Sequence, residues 1–123
     1  MGIPFVPRPK RDVAPREYQP GGNRVIYEMR TYTLKPGCIP EFEKRFAESL
    51  PHREKYSKLA AFWHTEIGPL NQVIHVWPYE DLAERTRVRA EAAKDPHWPP
   101  KVHDLIETME TKILIPAAFS PLQ

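Results

Sequence analysis

The stretch His64-Thr65-Glu66-Ile67-Gly68-Pro69-Leu70-Asn71-Gln72-Val73-Ile74-His75-Val76-Trp77 decides the fold. Gly68-Pro69 punctuates a turn, because glycine relieves backbone sterics and proline fixes its own φ. Phe62, Trp63 and Thr65 precede the turn, and Val73, Ile74, Val76 and Trp77 follow it. Aromatic and β-branched residues on both sides of a turn predict a hairpin. That hairpin would hold the centre of a small sheet. It also carries His64, Glu66, Asn71 and His75, much of the polar chemistry of the chain.

Upstream, Val25 to Leu34 reads as a strand, ended by the turn Lys35-Pro36-Gly37. Pro40 to about Leu50 reads as a helix. Pro40 fits its first turn, and Ile39, Phe42, Phe46 and Leu50 form one apolar stripe. Pro51 is expected to kink or restart it, with a second helical piece from His52 to Tyr56. Leu59 to Glu66 and Asn71 to Trp77 are the hairpin strands, the latter closed by Pro78. A second helix begins near Asp81 and runs to about Lys94. Arg85 and Arg89 stack four apart on one face of it. They lie on a solvated basic face, or they reach a carboxylate or ligand. Asp95-Pro96-His97-Trp98-Pro99-Pro100 is a rigid connector in which Trp98 plugs an apolar rim. Leu105 to about Ile115 is the last strand.

The order is β-α-β-β-α-β, the ferredoxin-like arrangement of an α+β fold. It predicts a four-stranded antiparallel sheet with both helices on one face. Two helices cover one face only. Parity assigns Glu28, Arg30, Tyr32, Asn71, His75 and Trp77 to the open face, and Ile74 and Val76 to the helix side. Register decides whether Trp63 or His64 joins the open set. Such a face predicts a homodimer whose sheets meet around a polar, aromatic cleft.

The chain has 123 residues, enough for one domain. Residues 1–22 read as an extended proline-rich arm, and 23–123 as the folded domain. A net charge of +2 from 18 basic and 16 acidic residues predicts no nucleic-acid partner. Mean hydropathy is −0.58, and no apolar run approaches the roughly 20 residues of a membrane span. The arm has neither the apolar core of a secretory signal nor the amphipathic period of a transit peptide, so a cytoplasmic location is expected. One cysteine, Cys38, precludes an internal disulfide framework.

From Tyr27 onward the chain resembles the NIPSNAP family. The resemblance is carried by Tyr27-Glu28-Met29-Arg30-Thr31-Tyr32-Thr33-Leu34-Lys35-Pro36-Gly37, by Phe62 to Trp77, by Tyr79-Glu80-Asp81-Leu82-Ala83-Glu84-Arg85, by Asp95-Pro96-His97-Trp98, and by Leu114 to Leu122. It implies a ferredoxin-like subunit forming a dimeric α+β barrel. That superfamily also contains cofactor-free monooxygenases, haem enzymes, small isomerases and stress-response proteins. Animal members resemble mitochondrial proteins linked to vesicle traffic and organelle clearance. No reaction is established for the family in general, and the resemblance leaves open whether this chain is an enzyme.

The site chemistry has several readings. His64 and His75 with Glu66 or Glu28 make a two-histidine, one-carboxylate set, but no His-Glu-x-x-His helix supports a metal. His52, His64, His75, His97 and His103 could each ligate haem, and nothing singles one out. No metal and no cofactor are therefore expected. No glycine-rich phosphate loop or nucleophile elbow is present. The cleft offers His75 as a candidate base and Arg30 as a candidate anion or enolate holder. Tyr32, Trp63 and Trp77 could stack on a ligand, and His64 and Asn71 could hydrogen-bond it. Two functions follow. One is a small-molecule-binding or structural, interaction homodimer in which Arg30 pairs with Glu28 or Glu107. The alternative is a cofactor-independent monooxygenase or isomerase acting on a small aromatic or carbonyl compound. A pocket of about 300 Å³ or more, lined by His75, Trp77 and Arg30, would favour a ligand site over a closed net of salt bridges.

Overall fold

A computed structural model describes residues 25–123. The expected arm, residues 1–22, lies outside the described residues. The elements run β1 (Ile26–Leu34), α1 (Ile39–Arg53), β2 (Ala61–His64), β3 (Gln72–Tyr79), α2 (Leu82–Ala92) and β4 (Ile106–Leu114). The sheet order is β2-β3-β1-β4 and every pairing is antiparallel. This is the expected ferredoxin-like α+β arrangement.

Three boundaries differ from expectation, each for a local reason. Helix α1 continues through Pro51 to Arg53 as one element. Proline sacrifices one helical hydrogen bond, which is tolerable so near the C-terminus. Strand β3 runs past Pro78, which sits opposite Tyr27. The carbonyl of Val76 faces the β2 side, where it accepts from the Ala60 N–H. By the two-residue period Pro78 turns the same way, beyond the end of β2, so its missing N–H breaks no ladder bond. Strand β2 is only four residues, shorter than the alternation suggested.

Helix α2 is started by Asp81, whose side chain accepts from the Glu84 N–H at 2.7 Å. The hairpin turn is set by Gly68 at φ 118° and by Asn71 at φ 60°. Asn71 tolerates the left-handed region, and its Oδ1 accepts from the Gly37 N–H at 3.0 Å. That bond ties the hairpin to the turn leading into α1.

The face assignment of the sheet is reversed from expectation. Glu28, Tyr32, His75 and Trp77 are buried beneath the helices. Phe42 and Phe46 of α1 meet Tyr32, His75 and Trp77 with ring centroids 5.2–6.4 Å apart. Ile74, Val76, Met29 and Trp63 lie on the opposite, uncovered face, as the register requires. Parity sorted the strands correctly, but polarity gave the wrong side. The polar positions can sit under helices because α2 delivers cations to them. The aromatic positions then bury far more area than Ile74 and Val76 could.

Candidate functional site

The alternation of β1 places Glu28, Arg30 and Tyr32 on the helix side, and that of β3 places His75, Trp77 and Tyr79 beside them. Arg30 stands opposite His75, and Glu28 opposite Trp77. Helix α1 contributes Phe42, Phe46 and Arg53, and α2 contributes Arg89 and Ala92. The connector closes the rim with Trp98, Pro100 and Val102. These groups surround a cavity of about 300 Å³. This cavity lies within one chain, between sheet and helices, and is not the cleft expected between two subunits.

Glu28 is 1% exposed and is held by three arginines. Arg85 donates from Nη2 at 2.5 Å and from Nε at 3.0 Å. Arg89 reaches Oε1 at 3.3 Å and Arg30 reaches Oε2 at 3.4 Å. Burial pushes the carboxyl up. The Arg85 hydrogen bond and the charges of Arg89, Arg30 and Arg85 outweigh that and hold it below the ordinary glutamate value. Of the two readings of Arg85 and Arg89, the structure bears out the one in which they reach a carboxylate.

His75 is 3% exposed. Its Nδ1 accepts from the indole N–H of Trp77 at 2.7 Å. An indole nitrogen only donates, so Nδ1 carries the lone pair and the neutral ring carries its proton on Nε2. Burial, then the charges of Arg30, Arg53 and Arg89, lower the histidine pKa to about 3. At neutral pH this ring has no lone pair to spare, which conflicts with the expected role as a base. Nε2 is buried and has no hydrogen-bond partner among the described residues. A buried donor left unpaired costs about 1–3 kcal/mol.

Arg53 is 3% exposed and makes no ion pair among the described residues. It donates to Ser57 Oγ and to Tyr79 Oη, each at 2.8 Å, and its guanidinium lies 4.3 Å from the Trp77 ring centre. These contacts replace part of its lost hydration. Tyr79 remains a neutral phenol, because burial raises its pKa despite the opposing charge of Arg53.

Of the residues singled out from sequence, Arg30, Tyr32, His75 and Trp77 line the cavity together. Trp63, His64 and Asn71 do not. Trp63 is 58% exposed on the open face. His64 sits on the helix side, opposite Val73, and its Nδ1 lies 2.6 Å from Glu43 Oε1 of α1. Asn71 is spent on the turn. His64 and His75 therefore do not converge as a metal pair, and no three His, Cys, Asp or Glu side chains among the described residues could hold an ion. Sequence reasoning missed Arg53, Tyr79 and Phe46 as lining groups. A signal for Arg53 existed: it continues the stripe of Phe42, Phe46 and Leu50, and a cation at an apolar-stripe position asks for a buried partner.

The NIPSNAP family model matches residues 27–121. The chain belongs to the NIPSNAP family. Protein NipSnap homolog 1 of Danio rerio is 36% identical over 107 residues, covering 85% of this chain and 38% of the relative. Human Protein NipSnap homolog 3A is 39% identical over 85 residues, covering 68% of this chain and 33% of the relative. This NIPSNAP chain thus spans about a third of the length of these curated relatives. Among solved structures, a NIPSNAP family protein with unknown function from Agrobacterium tumefaciens is 40% identical with a TM-score of 0.77, covering 82% of this chain and 96% of that one. A putative antibiotic biosynthesis monooxygenase from Bacteroides thetaiotaomicron has a TM-score of 0.55 at 15% identity, covering 76% and 90% of the two chains. That likeness concerns the fold alone. No described helix is long and apolar enough to cross a membrane.

Proposed function

We propose that this NIPSNAP chain is a small-molecule-binding homodimer, with the ligand held between sheet and helices. The supporting observation is the cavity of about 300 Å³ lined by Arg30, His75 and Trp77. A purely structural polar network would close on itself. Here the Glu28 cluster is satisfied, yet the cavity beside it stays open, and the buried His75 Nε2 has no partner among the described residues. The volume is at the lower end of small-molecule sites. The homodimer is supported by the uncovered sheet face, where Trp63 is 58% exposed and Leu114 40% exposed. Exposed apolar faces of this kind mark association surfaces. A second copy presenting the same face would cover both. A cytoplasmic location belongs to the same proposal, and the lone Cys38, which can form no intrachain disulfide, agrees with it.

The second reading, cofactor-independent isomerisation or oxygenation of an aromatic or carbonyl compound, is favoured by one feature. His75 and Arg30 line the same cavity, and a guanidinium of this kind stabilises an enolate oxygen. In that reading His75 does not abstract the proton.

The test is a thermal-shift screen of small molecules against the wild type, Arg30→Ala and His75→Ala. The proposal expects compounds that stabilise the wild type and lose their effect on both folded variants. No hits, or hits indifferent to both substitutions, would leave the interaction role.

A further inference from the structure

The charged lining of the cavity is unbalanced. Among the described residues that line it, Arg30, Arg53 and Arg89 meet one acid, Glu28. That carboxylate is already engaged by Arg85 from outside the lining, through two hydrogen bonds. Among the described residues Arg53 has only neutral partners, chiefly a serine, a tyrosine and an indole face. Arg30 spends Nε on Tyr32 Oη at 2.8 Å and Nη1 on Glu28. Arg89 spends Nη1 on Glu28. The Nη2 groups of Arg30 and Arg89 make no hydrogen bond among the described residues.

Arg53 is buried, Arg30 is mostly covered, and Arg89 stands half-exposed at the rim; a cavity whose cations outnumber its acids favours an anion, because an uncompensated charge shielded from water is costly. Guanidinium donors match the planar fork of a carboxylate. Much of the remaining wall is apolar, with Phe42, Phe46, Val102, Ile106 and Met109, beside His103. At the packing density of protein interiors, about 300 Å³ holds a body on the order of ten non-hydrogen atoms.

We infer that the ligand is a small aromatic carboxylate. Its carboxylate pairs with Arg30 and Arg89, and its ring lies against Phe46 and the apolar wall. This rests on the cavity being a ligand site and names the class of ligand. The charge surplus selects an anion over a neutral carbonyl compound. The apolar wall selects an organic body over a bare oxyanion.

Calorimetric titration of the full chain near neutral pH tests it with matched pairs: benzoate against benzamide, phenylacetate against phenylacetamide, and cinnamate against cinnamamide, with inorganic phosphate as the bare anion. At least one carboxylate should bind ten-fold or more tightly than its amide. Arg89→Gln, at a side chain 43% exposed and so a mild change to the fold, should erase that preference by weakening the carboxylate more than the amide. Arg30→Lys, which keeps the charge, should retain part of it. Amides that bind as tightly as their acids would overturn the inference while leaving the cavity a ligand site. Phosphate binding as tightly as the best carboxylate would overturn the aromatic part. A preference that survives Arg89→Gln would overturn the assignment of the carboxylate to Arg89. Failure of every compound would overturn the ligand class, and the broader thermal-shift screen would then decide separately whether the cavity binds anything.

Discussion

The indole N–H of Trp77 donates to Nδ1 of His75, two residues earlier on β3, at 2.7 Å. Both side chains point to the helix side because the strand period is two. This one bond sets the chemistry of the cavity. It fixes the imidazole tautomer and leaves the Nε2 proton as an unclaimed donor. It also withdraws the ring from proton abstraction.

Acid should weaken the fold through His75. Its pKa is about 3 when folded, against 6.5 for the ordinary side chain. Between these values the unfolded chain takes a proton that the folded chain refuses. The stabilisation is therefore fully present above about 6.5 and is lost as pH falls toward 3. At pH 5 the loss is roughly 2 kcal/mol. Glu28 adds to it at lower pH, since its folded pKa lies below 4.5 and its contribution disappears as pH falls through that folded value. Urea melts between about pH 7.5 and 5 should show a steeper decline for the wild type than for His75→Phe. Equal slopes would mean that His75 titrates normally in the folded protein.

Removing the carboxylate of Glu28 should be severe. Glu28→Gln leaves the guanidiniums of Arg30, Arg85 and Arg89 facing one another without a counter-charge. Breaking a buried ion cluster from one side costs about 3–5 kcal/mol. Arg89→Gln removes only a half-exposed partner and should cost about 1 kcal/mol or less. Chemical denaturation of the two variants checks the contrast. Equal losses would show that Glu28 is not the hub of the cluster.

Phe46 is the aromatic centre of the core. Its ring meets Phe42, Phe62, His75, Trp77 and Trp98 at centroid distances of 4.8–6.4 Å. Phe46→Ala should cost about 3–5 kcal/mol. The same substitution also enlarges the cavity, so a bulkier ligand should gain affinity relative to the smallest one. A loss below about 1 kcal/mol in denaturation would show that Phe46 packs loosely.

Trp63 should hold two copies together. It is exposed on the uncovered face, opposite Ile74 in the register. Trp63→Glu places a charge in the middle of the proposed contact and should turn a dimer into a folded monomer. Light scattering at micromolar protein reads the mass directly. A wild-type monomer, or a variant that stays dimeric, would remove the open face from the assembly.

The element order was legible because each element carries its own signal. The Phe42, Phe46, Leu50 stripe, the Asp81 cap and the Gly68-Pro69 turn are all local. The face of the sheet was not. Glu28, Arg30, Tyr32, His75 and Trp77 were grouped correctly by parity, since parity depends on the strand alone. Which side the helices take depends on contacts far apart in sequence. Arg85 and Arg89 meet Glu28 across 57 and 61 residues. Without those partners in view, a strand face bearing glutamate and histidine looks like solvent. Arg53 was hidden for the same reason, because its partner Tyr79 lies 26 residues away on a strand that Pro78 appeared to end.

The central claim is that a ligand seats beside His75. Side-chain nitrogen-15 NMR of the histidines measures this most directly, before and after saturation with the tightest binder found by screening. The free protein should show His75 protonated on Nε2 and bare on Nδ1 from about pH 5 to 8. Saturation should shift the Nε2–H resonance and leave those of His64 and His97 in place. An Nδ1-protonated His75, or a bound ligand that leaves both of its nitrogens unmoved, would contradict the account.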